Sequence, residues 1–305
     1  MESKLTGLVA APFTAMREDG SLNLDMILSQ ARALAAGGAA GAFICGTTGE
    51  GFSLTTAERL RVAGHWLAVA PKQLRVIVHV GHNSMEESRA LAHHAEQIGA
   101  HAIATIGPNF FRPASVEQLV AYCSQVAGAA PGLPFYFYHM PAMTGVNFAM
   151  YDFLKLASQR IPNLAGIKFT HENLMDYTQC LNFELGRFNI LFGRDEILLG
   201  ALALGATGAV GSTYNYMAPI YQQLLAAFKR GDLESARRHQ MSAIEIIAVM
   251  IRHGGLPAAK AMMKLIGIDC GPVRLPLQNL SVEQVANLSR DLERVNFLQL
   301  AGRAT

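Results

Sequence analysis

The sequence has few charged residues, and they are not clustered. Asp, Glu, Lys and Arg make up 16% of the 305 residues, the formal net charge is +2, and no run of five or more Lys or Arg occurs. Nucleic-acid-binding surfaces need concentrated positive charge, so the composition argues against such a partner. Hydrophobic residues make up 51%, which argues against disorder and predicts a well-buried core. A small-molecule partner is the expectation that remains.

Cysteine is scarce, and targeting signals are not apparent. The four cysteines are far apart and form no CxxC pair, which predicts four core thiols in a reducing cytoplasm. The opening "MESKLTGLVAAPFTAMREDG" contains only a short apolar run, so neither a signal peptide nor an anchor is expected. Residues 197–228 lack charge and histidine, but four glycines and a proline interrupt them. They are therefore predicted to be soluble core rather than a membrane helix.

Motifs for nucleotide and metal binding are also missing. The loop after the first predicted strand, "APFTAMREDGS", has no GxGxxG, and no GxxxxGK[ST] occurs in the chain. The histidines form no HExxH motif and no HxH on the first strand. Neither a nucleotide cofactor nor a metal is expected.

Eight short runs rich in β-branched and aromatic residues are present, with amphipathic helical patterns between them. Because parallel neighbours need crossover connections, this α/β alternation predicts a TIM (β/α)8 barrel. The barrel is assigned to residues 1–230, and residues 231–305 are predicted to form a small C-terminal helical extension. The runs are "LVAAPFT" (8–14), "AFICGT" (42–47), "VIVHVG" (76–81), "AIATIG" (102–107), "FYFYHMP" (135–141), "GIKFT" (166–170), "NILFGR" (189–194) and "GAVGST" (208–213).

The sixth run contains a lysine that does not suit a buried strand. Alternation places Lys168 and Thr170 on one face and Ile167 and Phe169 on the other, so Lys168 is expected to point into the barrel. Burial there disfavours the ammonium and raises the fraction of neutral amine that can attack a carbonyl. A lysine paired with a buried carboxylate for structural reasons is the alternative, and the strand alone leaves both open.

Other strand ends supply further polar groups, as expected for a barrel whose chemistry lies at the carboxyl ends of its strands. Tyr138 ends the fifth run and is either a proton shuttle or a core aromatic residue with a satisfied hydroxyl. The loop "GTTGEG" (46–51) offers backbone N–H groups and the hydroxyls of Thr47 and Thr48, which suit a carboxylate better than a polyphosphate. His139 either orients a polar network or fills space.

Together, "GTTGEG", "YHMPAMTGV", "GIKFT", "FGRDE" and "GATGAVGSTYN" resemble the pyruvate-dependent class I aldolase family that contains dihydrodipicolinate synthase and N-acetylneuraminate lyase. The resemblance covers nearly the whole chain. It implies a retro-aldol lyase, usually a homotetramer, that needs no cofactor or metal. Lys168 is then the Schiff-base nucleophile, Tyr138 moves protons at the C4 hydroxyl steered by Thr48, and a sugar acid contacts the remaining positions: Thr47, Thr48, Thr170, Gly193, Asp195, Glu196 and Ser212.

The loop after the fifth run indicates the branch of the family. Dihydrodipicolinate synthases typically carry an arginine shortly after the proline, whereas "PAMTG" has none and resembles the sialic acid lyase form. The acidic pair Asp195 and Glu196 agrees, because carboxylates accept hydrogen bonds from a polyol. Many relatives have a tyrosine where this chain has Phe110, so that member of the proton relay is missing. The rival interpretations are an aldolase of shorter 2-keto-3-deoxy sugar acids, a dihydrodipicolinate synthase, and a non-catalytic barrel that binds keto acids.

Overall fold

The computed structural model describes residues 4–301 and contains a closed barrel of eight parallel strands. Each strand pairs with its neighbours in sequence, and β8 pairs with β1 to close the barrel. The predicted (β/α)8 fold is therefore confirmed. The strands are β1 (Gly7–Ala10), β2 (Gly41–Ile44), β3 (Arg75–His79), β4 (Ala102–Ile106), β5 (Phe135–His139), β6 (Leu164–Phe169), β7 (Asn189–Phe192) and β8 (Gly208–Gly211).

All eight strands end earlier than their apolar runs. The first run extends to residue 14, but β1 ends at Ala10. The residues that follow are still buried, although they have left the ladder and form the mouth of the barrel. Because these buried loop residues are apolar, they resemble strand residues in the sequence. The apolar runs therefore overestimate the length of the strands at their carboxyl ends.

Helices connect the strands and surround the barrel, and several begin at side-chain caps. Thr55 and Ser281 each form a capping box, with Glu58 and Gln284 respectively. Three short 3-10 turns occupy 51–53, 183–186 and 195–197. The α-helices are α1 (Met26–Ala36), α2 (Thr56–Val69), α3 (Met85–Gln97), α4 (Val116–Gly128), α5 (Pro141–Thr144), α6 (Met150–Arg160), α7 (Leu174–Asn182), α8 (Leu198–Ala203), α9 (Tyr214–Lys229), α10 (Leu233–Arg252), α11 (Leu256–Leu265), α12 (Val282–Arg294) and α13 (Phe297–Leu300).

The core has two layers separated by the barrel wall. The inner layer consists of inward-facing strand residues, among them Val9, Phe43, Tyr138 and Leu191. The outer layer lies between the strands and the helices, and it contains Ile167 and Phe169. Successive strand residues alternate between these layers, as the period of two requires.

The C-terminal helices α10 to α13 pack on one side of the barrel, chiefly through α10 against α9. The boundary assigned between residues 230 and 231 falls in the short connection between these two helices. All four cysteines are buried and unpaired. Among residues 4–301, no helix is long and apolar enough to cross a membrane.

Candidate active site

A cavity of about 220 Å³ opens at the carboxyl ends of the strands. A larger cavity of about 820 Å³ lies at the opposite end, where Arg75, Ala102, Leu164 and Asn189 begin or precede their strands. Because catalytic groups of this fold lie at the carboxyl ends, the smaller cavity is the candidate site. All nine residues expected from the sequence line it: Thr47, Thr48, Tyr138, Lys168, Thr170, Gly193, Asp195, Glu196 and Ser212.

Lys168 points into the barrel near the end of β6, as the strand alternation predicts. Its side chain is 4% exposed, and Nζ lies 4.0 Å from the ring centroid of Phe43 and 3.9 Å from that of Tyr138. Burial lowers its pKa to about 7, although the charge of Asp195 acts in the opposite direction. The two ring faces favour the cation, but their effect is smaller than the loss of hydration. Much of the lysine is therefore neutral at physiological pH.

Tyr138, on the adjacent strand β5, places its hydroxyl beside the loop of residues 46–51, which is predicted to bind the substrate carboxylate. The hydroxyl lies 3.3 Å from Oγ1 of Thr47 and donates to Sδ of Met140 at 2.9 Å. Burial raises its pKa to about 12, so the group is a phenol at neutral pH. The sequence predicts that Thr48 steers this tyrosine, and in the structure Thr47 is the threonine of that loop whose hydroxyl lies within hydrogen-bonding distance of it.

The loop that carries Thr47 and Thr48 is held in a tight conformation. Glu50 has a left-handed backbone with φ +52°, and a Cβ at Gly51 would overlap the carbonyl oxygen of Cys45. The Thr14 hydroxyl donates to the Gly49 carbonyl at 2.6 Å. The loop's two threonines lie at the barrel mouth, where the side chain of Thr47 is exposed and that of Thr48 is half-buried.

Asp195 follows β7 and lies, buried, on the side of the barrel mouth opposite Thr47 and Thr48. It is buried and accepts hydrogen bonds from N and Oγ1 of Thr213, at 3.0 and 2.6 Å. Burial raises its pKa to about 6, while the two Thr213 bonds favour the ionised form. A Cβ at Gly211 would overlap this carboxylate, and a Cβ at Gly193 would overlap the hydroxyl of Thr170. Glycine at these two positions is what allows both polar groups to face the cavity.

Glu196 and Arg194 form the rim beside Asp195. Arg194 makes ion pairs with Glu196, at 3.0 Å, and with Glu172, which follows β6. The second oxygen of Glu172 lies 3.1 Å from Nδ1 of His171. The ends of two neighbouring strands are thus joined by alternating charges.

His139 lies outside the barrel wall. Its ring is 5.2 Å from that of Phe169 and 5.5 Å from that of His171, and neither ring nitrogen has a hydrogen-bond partner within residues 4–301. Burial lowers its pKa to about 3. Of the two interpretations left open, the geometry favours space filling.

Phe43, Met140 and Arg194 are site residues that the sequence did not identify. Phe43 is an inward strand residue, and Met140 has a thioether that no polar pattern reveals. Arg194 was visible in "GRDE", but nothing along the chain indicated that Glu172, on the previous loop, would pair with it. Two such loops come into contact because their strands are neighbours in the barrel, and this is known only once the fold is known.

Phe110 and Phe111 project from the loop after β4. They are 76% and 87% exposed, and their rings contact each other edge to face at 4.9 Å. Oδ1 of Asn83 accepts hydrogen bonds from the backbone N–H groups of Asn109 and Phe110, which holds the loop in place. Two exposed aromatic rings on a fixed loop form an apolar patch that a partner surface could cover.

Comparisons with known proteins agree with this geometry. The family model described as "Dihydrodipicolinate synthetase family" matches residues 4–295. N-acetylneuraminate lyase from Rattus norvegicus is 44% identical over 306 residues, covering 99% of this chain and 96% of the relative. The structure of Proteus mirabilis N-acetylneuraminate lyase has a TM-score of 0.94 and 42% identity, covering 97% of this chain and 100% of that one. The lyase from Aliivibrio salmonicida has the same TM-score and identity, covering 97% and 98%.

Proposed function

This chain belongs to the dihydrodipicolinate synthetase family, and we propose that it is a class I lyase that cleaves N-acetylneuraminate to N-acetylmannosamine and pyruvate. The proposal rests on the similarity to lyases of that name together with one observation about the site. Lys168 is buried inside the barrel mouth, and its pKa is lowered to about 7. Within residues 4–301 it forms no ion pair. A structural lysine of this burial would need a carboxylate partner.

The first step is imine formation at Lys168. The neutral amine attacks the C2 ketone of the open-chain sugar acid and forms an N–C2 bond, one proton is taken up, and water leaves with the former ketone oxygen. The product is an iminium that accepts electrons. When the proton of the C4 hydroxyl is removed, the C3–C4 bond breaks and its electron pair forms the enamine, releasing N-acetylmannosamine as an aldehyde. Protonation at C3 and addition of water at C2 then release pyruvate and restore the lysine. The iminium supplies the electrophilic activation, so the proposal includes no cofactor.

Tyr138 is the group proposed to move the proton at the C4 hydroxyl. Its ring faces Nζ of Lys168, on the neighbouring strand, and its hydroxyl contacts Thr47 and Met140. Because its pKa is raised to about 12, the resting group is a phenol and donates in the direction of synthesis. In the direction of cleavage it must pass its own proton on before it accepts one. The Thr47 hydroxyl is the neighbouring oxygen that can relay this proton to the substrate carboxylate, which the same threonine is proposed to bind.

The two sides of the cavity suit the two ends of the substrate. Thr47 and Thr48 offer hydroxyls and backbone donors, which support binding of the pyruvyl carboxylate. Asp195 and Glu196 are acceptors on the other side, with Thr170, Gly193 and Ser212 completing that wall. Carboxylates there support binding of a polyol, which offers many O–H donors.

A homotetramer in the cytoplasm is part of the proposal. The exposed Phe110 and Phe111 pair supports an assembly in which a second copy covers this loop. Four buried thiols without disulfides support a reducing compartment.

Trapping with a reductant tests the proposal. Incubation with pyruvate and borohydride should add one reduced pyruvyl group to Lys168, located by peptide mass. Lys168→Met should abolish both the adduct and cleavage of N-acetylneuraminate. Lys264→Met is the matched control, because that lysine is exposed on α11 and forms an ion pair with Asp269. An adduct that survives in Lys168→Met refutes the nucleophile.

A substrate comparison tests the sugar. Pyruvate release from N-acetylneuraminate should exceed release from a 2-keto-3-deoxy acid with fewer hydroxyls. The opposite order, with the Lys168 adduct intact, would favour the shorter-chain aldolase.

A further inference from the structure

A guanidinium held between two carboxylates lies at the polyol side of the cavity. Arg194 lines the cavity, and its Nη2 pairs with Oε1 of Glu196 and Oε1 of Glu172. Glu172 follows β6 and Arg194 follows β7, so the contact joins the ends of neighbouring strands. Neither Arg194 nor Glu172 has a part in the imine chemistry.

We propose that Arg194, held in place by Glu172, is a positioning residue that orients the Glu196 carboxylate and thereby sets the affinity for the polyol half of the substrate. This inference rests on the proposed lyase function and extends it to how the sugar is selected. Glu172 acts through Arg194 and does not contact the substrate.

Orientation is the first part of the argument. The Glu196 side chain is 34% exposed, and a half-exposed glutamate has several rotamers available. The ion pair with Arg194 engages Oε1, which leaves Oε2 for a hydroxyl donor of the substrate. A planar guanidinium fixes a carboxylate more precisely than an ammonium does. Arg194 therefore reduces the conformational freedom that the sugar would otherwise have to remove on binding.

Charge is the second part. Asp195 and Glu196 line one side of a small cavity, Glu172 lies behind them against Arg194, and the substrate has a carboxylate of its own. Like charges close together in a partly buried site repel each other more strongly than they do in water. Arg194 offsets part of that negative charge and leaves the oxygen atoms as acceptors. The polyol half of an anionic substrate can then bind beside Asp195 and Glu196.

The arrangement contributes little to folding, which makes it testable. The side chains of Arg194, Glu172 and Glu196 are 29%, 55% and 34% exposed. Ion pairs of this exposure typically contribute little to the stability of a fold, because solvent screens them. Substitutions at Glu172 and Arg194 should therefore leave the protein folded.

The experiment separates the two halves of the substrate. In Glu172→Gln and Arg194→Met, the KM for N-acetylneuraminate should rise about tenfold, as expected when a hydrogen bond to a charged group is weakened. The kcat and the pyruvate concentration that half-saturates borohydride trapping at Lys168 should change little. Glu184→Gln is the matched control, since Glu184 forms a similar ion pair with Arg187 away from the cavity.

A double-substitution cycle tests whether Glu172 acts through Arg194. The Glu172→Gln/Arg194→Met protein should have the same KM as Arg194→Met alone, and Arg194→Lys should recover part of the loss. Additive effects, or an unchanged KM, would overturn the proposal. A loss confined to substrates with a second anionic group would also overturn it, because Arg194 would then be binding that group directly. If the unsubstituted protein forms no pyruvate adduct, the lyase function itself fails, and that result is distinct from any of these.

Discussion

The environment of Lys168 is the main chemical feature of this protein at the scale of single residues. Its ammonium loses hydration inside the barrel, and among residues 4–301 the only charge that opposes this effect on the pKa is Asp195. Asp195 is itself buried, with a pKa raised to about 6, so it is mostly ionised at neutral pH, but its charge offsets only part of the desolvation of the lysine. The lysine therefore has no strong stabilisation of its charged form. Because the site desolvates the ammonium without fully compensating its charge, a large fraction of Lys168 is a neutral, nucleophilic amine.

The pH dependence of imine formation checks this account. A pKa lowered from 10.5 to about 7 means that the neutral amine is the major form above pH 7 and falls tenfold per pH unit well below it. The initial rate of pyruvate adduct formation, trapped with cyanoborohydride, should therefore rise through pH 7 and level off above it. A rate that continues to climb up to pH 10 would contradict the lowered pKa. Adduct mass measured over a pH series gives the profile.

At the scale of elements, the loop of residues 46–51 is anchored to helix α11 by a buried ion pair. Glu50, in the strained loop, forms an ion pair of 2.7 Å with Lys260 of α11, and both side chains are almost fully buried. Its other oxygen accepts a hydrogen bond from the backbone N–H of Arg274 at 2.9 Å, and Lys260 donates to the Pro272 carbonyl at 2.7 Å. The C-terminal helices thus hold the loop that carries Thr47 and Thr48.

Breaking this buried pair should be costly. Lys260→Met leaves the Glu50 carboxylate buried without its partner, so the free energy of unfolding should fall by about 3–5 kcal/mol in urea denaturation. Glu50→Gln combined with Lys260→Met should recover part of that loss, because the glutamine oxygen still accepts from Arg274 and no charge is left unpaired.

Lys264→Met on the same helix is the control for helix propensity and charge. That side chain is 70% exposed, and its substitution should have little effect on unfolding. If Lys260→Met and Lys264→Met unfold at the same urea concentration, the buried pair does not stabilise the loop.

At the scale of the whole molecule, the barrel brings distant segments to one mouth. Thr47, Tyr138, Lys168 and Asp195 come from four separate strand ends and meet in one cavity. The loop after β4 exposes the rings of Phe110 and Phe111 to solvent. Two adjacent exposed aromatic rings are typical of a surface that a partner covers.

Removal of both rings tests the proposed assembly. Phe110→Ser/Phe111→Ser should lower the mass measured by light scattering at a given concentration, because exposed aromatic anchors contribute most to interface affinity. Met175→Ser, which removes another highly exposed apolar side chain on α7, is the control. An unchanged mass in the double variant would place the contact elsewhere on the molecule.

The fold and part of the site could be predicted because both follow from short-range patterns. Apolar runs alternating with amphipathic helices predict parallel strands, and the period of two predicts the direction of Lys168 and Thr170. Strand ends were predicted less well, since buried loop residues such as Ala11 and Phe13 continue the apolar pattern beyond the ladder. Met140 and the Glu172 partner of Arg194 could not be predicted, because their contacts cross between loops.

By itself, the sequence determined the strand and helix pattern, the inward direction of the lysine, and the loops that supply the polar groups, since all of these depend on near neighbours in the chain. Only the tertiary structure decided which groups touch. Barrel closure places Phe43 and Tyr138 over Lys168, sets Thr47 rather than Thr48 beside the phenol, and brings Glu172 to Arg194. A pKa or a pairing depends on desolvation and distance, and both are properties of the packed molecule rather than of the order of its residues.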